Sequence, residues 1–273
     1  MNFHLKIPVV PSLTQIDIRD KICFMGSCFS DEIGNLASQH GLNAMSNPFG
    51  TVFHPIPMSD VLKGCISNRV KYDMIRHNNL VYDWNSSHLF YSLSETEHKL
   101  KVKNTHQKLK NQLKGKSWLF ITLGTSVGYR LKETNRMVAN CHKQDQKLFE
   151  KENTPFEVMY AEWYSLLTDL FAMNSELNVV FTVSPVRHVK DGLITNNVSK
   201  SNLFVLIDRL KSDFPITYFP SYEILIDALR DYRFYKKDLV HPNELAIDCV
   251  WSHFIETFMS KSNASILKRV SKI

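Results

Sequence analysis

No window of this 273-residue chain approaches the roughly 20 apolar residues that a membrane-spanning helix needs. The N-terminus, Met1-Asn2-Phe3-His4-Leu5-Lys6, lacks the basic and apolar regions of a secretory signal. Cysteines stand at 23, 28, 65, 141 and 249, an odd number with no CxxC pair. That argues against a disulfide framework or a zinc knuckle and for a reducing compartment. Neither HxH nor HExxH spacing occurs, so no metal ligand set is expected, and nothing calls for a cofactor. There is no internal repeat and no low-complexity linker. The expectation is a soluble, cytoplasmic chain.

Acidic residues are missing from one stretch. Between His98 and Lys116 stand seven lysines (99, 101, 103, 108, 110, 114 and 116) with no carboxylate between them. Outside it, 26 basic residues face 27 acidic ones, so the net charge of +6 is local. A solvated lysine-rich helix or loop explains the stretch, and a docking surface for an anionic partner is the alternative. No aromatic sits among these lysines to stack bases, which argues against single-stranded nucleic acid as a partner.

What is present suits one sizeable core. Apolar residues make up 44% of the chain, with 17 Phe, 10 Tyr and 4 Trp. The length fits a single domain over 1–273 with small insertions at about 70–116 and 129–150. Lys21 to Met25 reads as a strand that ends in Gly26. Ser30 or Asp31 can cap a helix to about Gln39, and Asn43 to Met45 reads as a second strand. A helix opens at Ser59-Asp60 and runs to about Asn68. Leu80 to Ser92 reads as extended. Ser117 to Leu123 is the clearest buried strand, followed by a hairpin over Tyr129 to Ala139. Pro155 to Met173 is an amphipathic helix. Asn178 to Val183 and Ile216 to Phe219 are further strands. Helices are expected at Ser199–Ser212, Ser221–Leu229 and Pro242–Met259, and Val186 to Asn197 as a long loop with Gly192 as a hinge. Strands alternating with helices indicate an α/β fold, a three-layer α/β/α sandwich around a parallel sheet. Ligands in such sheets bind beyond the C-terminal strand ends. Gly26-Ser27, Asn47 to Gly50, Gly124 to Ser126 and Ser184 to His188 fall there.

Two motifs carry the chemistry. Ser27 stands where the first strand turns into the first helix, with helix N–H groups pointing toward its hydroxyl. Asp238 and His241, three residues apart, lie on one side of a helical turn or together in a tight loop. A carboxylate beside an imidazole fixes its tautomer and stabilises the imidazolium. The plainer readings are a capping serine and a surface Asp-His pair at a helix start. Cys28 is a rival nucleophile, because a helix N-terminus lowers a thiol pKa. His142 and His188 follow polar clusters at loop or strand ends, which makes each a candidate pocket-lining, substrate-binding residue, with a structural hydrogen-bonder as the plainer reading. Arg187, past a buried strand, can clamp a carboxylate or phosphate, or can serve only a surface ion pair.

Gly26-Ser27-Cys28-Phe29 resembles the motif that names the GSCFA-domain family, within the SGNH/GDSL-like hydrolase superfamily. Ser30 stands where the motif has Ala. Asn47-Pro48-Phe49-Gly50-Thr51, Leu123-Gly124-Thr125, Val138 to Lys143, Ser184 to His188, Asp231 to Tyr235 and Asp238 to Pro242 extend the resemblance over roughly residues 20 to 258. The resemblance implies a flavodoxin-like SGNH fold with Ser27 as nucleophile, His241 as base and Asp238 orienting it. It also implies an oxyanion hole from the Ser27 N–H, the Gly50 N–H and a residue at 126. There the chain has Ser126 in place of Asn, so Asn47, Thr125, His142 and Arg187 are candidate replacements. The implied activity is a serine esterase or acyltransferase acting on an O-acyl, by analogy O-acetyl, ester of a carbohydrate. A non-catalytic carbohydrate- or acyl-binding module is the alternative, and a Cys28 hydrolase a third reading. A small-molecule or glycan ester is the expected partner; the oligomeric state stays open.

Overall fold

The computed structural model describes residues 5–67 and 72–270. The first four residues, the expected helix end near Asn68 and the insertion boundary near 70 lie outside them. Five strands form one parallel sheet: β1 (Lys21–Gly26), β2 (Asn43–Ser46), β5 (Ser117–Leu123), β9 (Leu177–Val183) and β10 (Thr217–Tyr218). Two small antiparallel sheets lie between them in sequence. One is the hairpin of β3 (Met74–His77) and β4 (Leu80–Asp83); the other joins β6 (Val127–Leu131), β7 (Arg136–Val138) and β8 (Phe149–Asn153).

The main sheet runs β2-β1-β5-β9-β10, every pair parallel. Counting only its own strands, this is the doubly wound order 2-1-3-4-5. The order reverses between β1 and β5, which opens a crevice beyond their C-terminal ends.

Alternating side chains give the sheet two apolar faces. Cys23, Met25, Leu119 and Ile121 face one core. There they meet α2 (Pro55–Ser67), α3 (Glu95–Gln112), α4 (Phe156–Met173) and α5 (Leu193–Asp213). Ile22, Phe24, Trp118 and Phe120 face the other, covered by α1 (Cys28–Gln39), α7 (Glu244–Phe258) and Leu267 of α8 (Lys261–Val270). The result is a three-layer α/β/α sandwich. No helix among the described residues is long and apolar enough to cross a membrane.

Several elements start elsewhere than their sequence suggests. The first helix begins at Cys28 because Ser27 itself caps it, accepting from the Phe29 N–H at 3.3 Å. The second begins at Pro55, since proline lacks the N–H that a first turn leaves unpaired. Much of the expected loop Val186–Asn197 is ordered: a 3₁₀ turn spans Val189–Asp191 and α5 starts at Leu193, with Gly192 before it at φ +82°. The helix α6 (Ser221–Glu223) passes into a π-helical stretch, Ile224–Leu229. The expected closing helix starts after Pro242, because the Asn243 side chain caps it through the Ala246 N–H at 3.2 Å. It does not close the chain, for α8 follows.

The lysine-rich segment is part of the helical layer. Helix α3 places Val102 and Leu109 in the core, Leu113 follows them, and Lys99, Lys103 and Lys108 stay in solvent. Leu109→Ala is therefore expected to cost about 2–5 kcal/mol, whereas Lys108→Ala should stay within about 0.5 kcal/mol. Urea unfolding of the two variants checks this, and similar midpoints would contradict the burial of α3.

Candidate functional site

Ser27 stands at the end of β1, at the order reversal of the sheet. Gly26 adopts φ +141°, and a Cβ there would lie 2.1 Å from the Thr122 carbonyl oxygen, so the close passage of β1 against β5 requires glycine. The Asn47 side chain clamps the turn from the neighbouring strand end. Its Oδ1 accepts from the Gly26 N–H at 2.8 Å and its Nδ2 donates to the Ser27 carbonyl at 3.2 Å. Ser27 is 5% exposed, and its hydroxyl donates to Ser184 Oγ at 2.9 Å.

Asp238 and His241 occupy a tight loop, not a helical turn. A bridge between Tyr235 and Pro242 and the Lys236 N–H to His241 carbonyl bond at 2.7 Å close its base. Leu239 turns the loop at φ +60°. Asp238 Oδ1 accepts from the backbone N–H groups of Val240 (2.9 Å) and His241 (3.0 Å), and its Oδ2 lies 2.6 Å from His241 Nδ1. The His241 N–H, then the Val240 N–H, then the imidazole hold this carboxyl well below the usual carboxylate range. The carboxylate therefore fixes the Nδ1–H tautomer and leaves Nε2 free to accept a proton.

Ser27 and His241 line one cavity of about 300 Å³, together with Cys28, Thr51, Phe53, Gly124, Ser184, Arg187, His188, Lys190 and three valines. The Ser27 hydroxyl is turned to Ser184 and not to His241. A second cavity of about 300 Å³ shares Phe53, His188 and Lys190 with the first. Tyr129, Asn140, Gln144 and Gln146 line it. Residues 21–254 match the sequence model of the GSCFA family. The chain belongs to the GSCFA family. Comparison with curated proteins and with solved structures gives no match.

In this GSCFA chain the expected oxyanion donors are engaged internally. The Ser27 N–H donates to the Thr122 carbonyl at 3.3 Å. The Gly50 N–H closes a turn onto the Asn47 carbonyl at 2.7 Å, and Gly50 does not line the cavity. The Ser126 hydroxyl is fully buried and donates to Asn153 Oδ1 at 2.6 Å. Of the candidate replacements, Asn47 clamps the turn and Thr125 Oγ1 is 2.7 Å from Ser199 Oγ. His142 lies away from the cavity, with Nε2 2.9 Å from the Asp83 carbonyl and its ring 4.6 Å from Tyr82. Burial pushes its imidazole down to about 4. Arg187 and His188 do line the cavity. Cys28 lines it beside Ser27, but burial pushes its thiol up, the reverse of what a helix N-terminus alone would do. A rival thiolate nucleophile is thus disfavoured.

Sequence reasoning missed the group behind Ser184. Lys200 is 2% exposed, has no carboxylate partner among the described residues, and donates from Nζ to the Ser184 carbonyl at 2.7 Å. Its neighbours on α5 are also buried and polar. Asn196 Oδ1 accepts from the His188 N–H, and Ser199 Oγ accepts from the Ser126 N–H, both at 2.8 Å. The signal was periodicity: Asn196, Ser199 and Lys200 continue backward the stripe of Leu203, Leu206, Ile207 and Leu210.

Burial pushes the Lys200 ammonium from 10.5 down to about 7. Between those values the unfolded chain holds the proton that the folded protein has released. Stability should therefore rise with pH across that window, by up to about 1.4 kcal/mol per pH unit. Lys200→Met should remove this slope. Urea unfolding at pH 7.5 and 9.5 checks it, and an identical pH dependence in both proteins would contradict proton release from the buried Lys200.

Proposed function

We propose that the protein is a serine esterase or acyltransferase that acts on an O-acyl ester of a carbohydrate through an acyl-Ser27 intermediate. The observation that carries this reading is the meeting of Ser27 and the Asp238–His241 pair on one cavity at the order reversal of the sheet. For reaction, Ser27 rotates from Ser184 toward His241. His241 Nε2 takes the Ser27 proton as Oγ bonds to the acyl carbon, then passes it to the departing alcohol oxygen. Water deacylates Ser27 in an esterase, and a sugar hydroxyl does so in a transferase.

The developing oxyanion requires donors other than Gly50 and Ser126. The N-terminal turn of α1 is the proposed source through its Cys28 N–H, since the Phe29 and Ser30 N–H groups bond Ser27 Oγ and the Ser27 carbonyl, and the helix dipole favours negative charge. The carbohydrate part rests on resemblance to SGNH-type hydrolases, many of which act on glycan O-acetyl groups. The amides and the tyrosine of the adjoining cavity suit a sugar, offering hydrogen bonds and an aromatic face.

The Ser27–Ser184 bond and the committed donors favour a second reading, a carbohydrate- or acyl-binding module that performs no chemistry. Treatment with a fluorophosphonate, followed by intact mass and peptide mapping, separates the two. The esterase reading expects one adduct, on Ser27, that His241→Ala abolishes. It also expects Ser27→Ala to lower ester turnover by on the order of 10⁴–10⁶-fold and Asp238→Asn by about 10³–10⁴-fold. A folded protein that takes no adduct, or turnover that survives Ser27→Ala, overturns it.

A further inference from the structure

Six of the nine described arginines are matched with carboxylates, and of the other three Arg230 and Arg269 are exposed on the surface. Arg19, Arg76, Arg130, Arg136, Arg209 and Arg233 each lie within ion-pair distance of an Asp or Glu. Arg187, half-buried in the cavity wall, has no carboxylate and no hydrogen-bond acceptor among the described residues. Its guanidinium carbon lies over the Tyr235 ring, 5.4 Å from its centre, a contact that uses none of its N–H donors.

Nothing else in the cavity neutralises it. The lining residues include Arg187, Lys190, His188 and His241, and no Asp or Glu. Three carboxylates on neighbouring segments are already engaged. Asp191 faces Lys151 and His188, Asp238 holds His241, and Glu32 holds Lys236. Removing a cation from water without a partner is unfavourable, and its cavity wall position exposes it to whatever enters. A guanidinium presents paired N–H donors that match the oxygens of a carboxylate or phosphate.

We infer that the ester bound beside Ser27 carries a carboxylate or phosphate group, held by the Arg187 guanidinium. This substrate class rests on the esterase reading above. Phe53 and the valines at 186, 189 and 240 line the remaining wall, so the neutral part of the substrate meets apolar surface. Lys190, exposed and without an ion pair among the described residues, adds charge at the opening.

The anion can sit on the acyl or on the alcohol side, and paired esters separate the two. The acyl arm compares 4-nitrophenyl hemisuccinate with 4-nitrophenyl butyrate. The alcohol arm compares 4-acetoxybenzoate and 4-acetoxyphenyl phosphate with phenyl acetate. Each ratio of charged to neutral kcat/KM is divided by the same ratio for Arg187→Gln, which cancels intrinsic ester reactivity. In one arm the quotient should be roughly 10–100, carried mainly by KM. Arg76→Gln, an equal loss of charge on β3, should leave the ratio as in the native protein. If Arg187→Gln fails to fold, Arg187→Met, which keeps the contact with Tyr235, takes its place.

A second readout does not need turnover. Calorimetric titration of the same esters into Ser27→Ala protein should show a charged ester bound at least about tenfold tighter than its neutral counterpart, and no such preference once Arg187→Gln is added. Quotients near one in both arms, with equal binding, overturn the anionic substrate while leaving an esterase intact. Charge-selective binding without Ser27-dependent turnover supports the anion site and overturns the esterase.

Discussion

The arrangement of the cavity depends on a lysine buried without a counter-charge. Taking a lysine out of water is costly unless its donors are met. Lys200 meets one with the Ser184 carbonyl, which fixes the chain just past β9. That same residue receives the Ser27 hydroxyl, so the end of β1 and the end of β9 are tied through one serine. One residue earlier, Ser199 secures the Thr125–Ser126 segment after β5, and one helical turn earlier Asn196 secures His188. The first turns of α5 therefore present a polar stripe that holds the loops of both central strands, while its later turns bury leucines in the ordinary way. The sheet places the strand ends; this stripe decides how the chain leaves them.

Much of the scaffold was legible in the sequence. Ser117–Leu123 is seven residues of nearly unbroken apolar chain ending in glycine, and the strand occupies those residues. Local composition suffices there because a strand buried on both faces leaves no polar alternation. Helix starts were harder to read, since the capping side chain decides them and several polar residues often compete. Ser27 rather than Ser30 caps α1 because the left-handed Gly26 turns the chain one residue before it.

The site was legible in part, and the misses share a cause. Asp238 and His241 are three residues apart, so spacing alone brings them together. Ser27, Arg187 and His188 follow apolar strands and reach the cavity for that reason. Gly50 and Ser126 are read as free donors because pattern does not reveal partners, and their partners, Asn47 and Asn153, are set by the fold. Lys200 escaped because lysine in a helix is ordinarily read as solvated. The 3.6-residue period is the stronger signal there: a charged residue on an apolar stripe is either misplaced or functional.

The electrostatics then bear on which atom would react under the proposed esterase reading. Cations and imidazoles surround the cavity, yet the thiol at its edge is pushed up by burial, not down by charge. Desolvation outweighs the helix dipole for Cys28 because its side chain is mostly covered, and a neutral thiol is a poor nucleophile. A serine does not depend on a pre-formed anion. It transfers its proton to a base only as the new bond forms, so burial penalises it less. The Asp238–His241 pair stands in a half-exposed loop, where a transient imidazolium keeps both its carboxylate and access to solvent. A covered serine beside a solvated imidazole suits the proposed chemistry at Ser27 and leaves Cys28 as a wall of the same cavity.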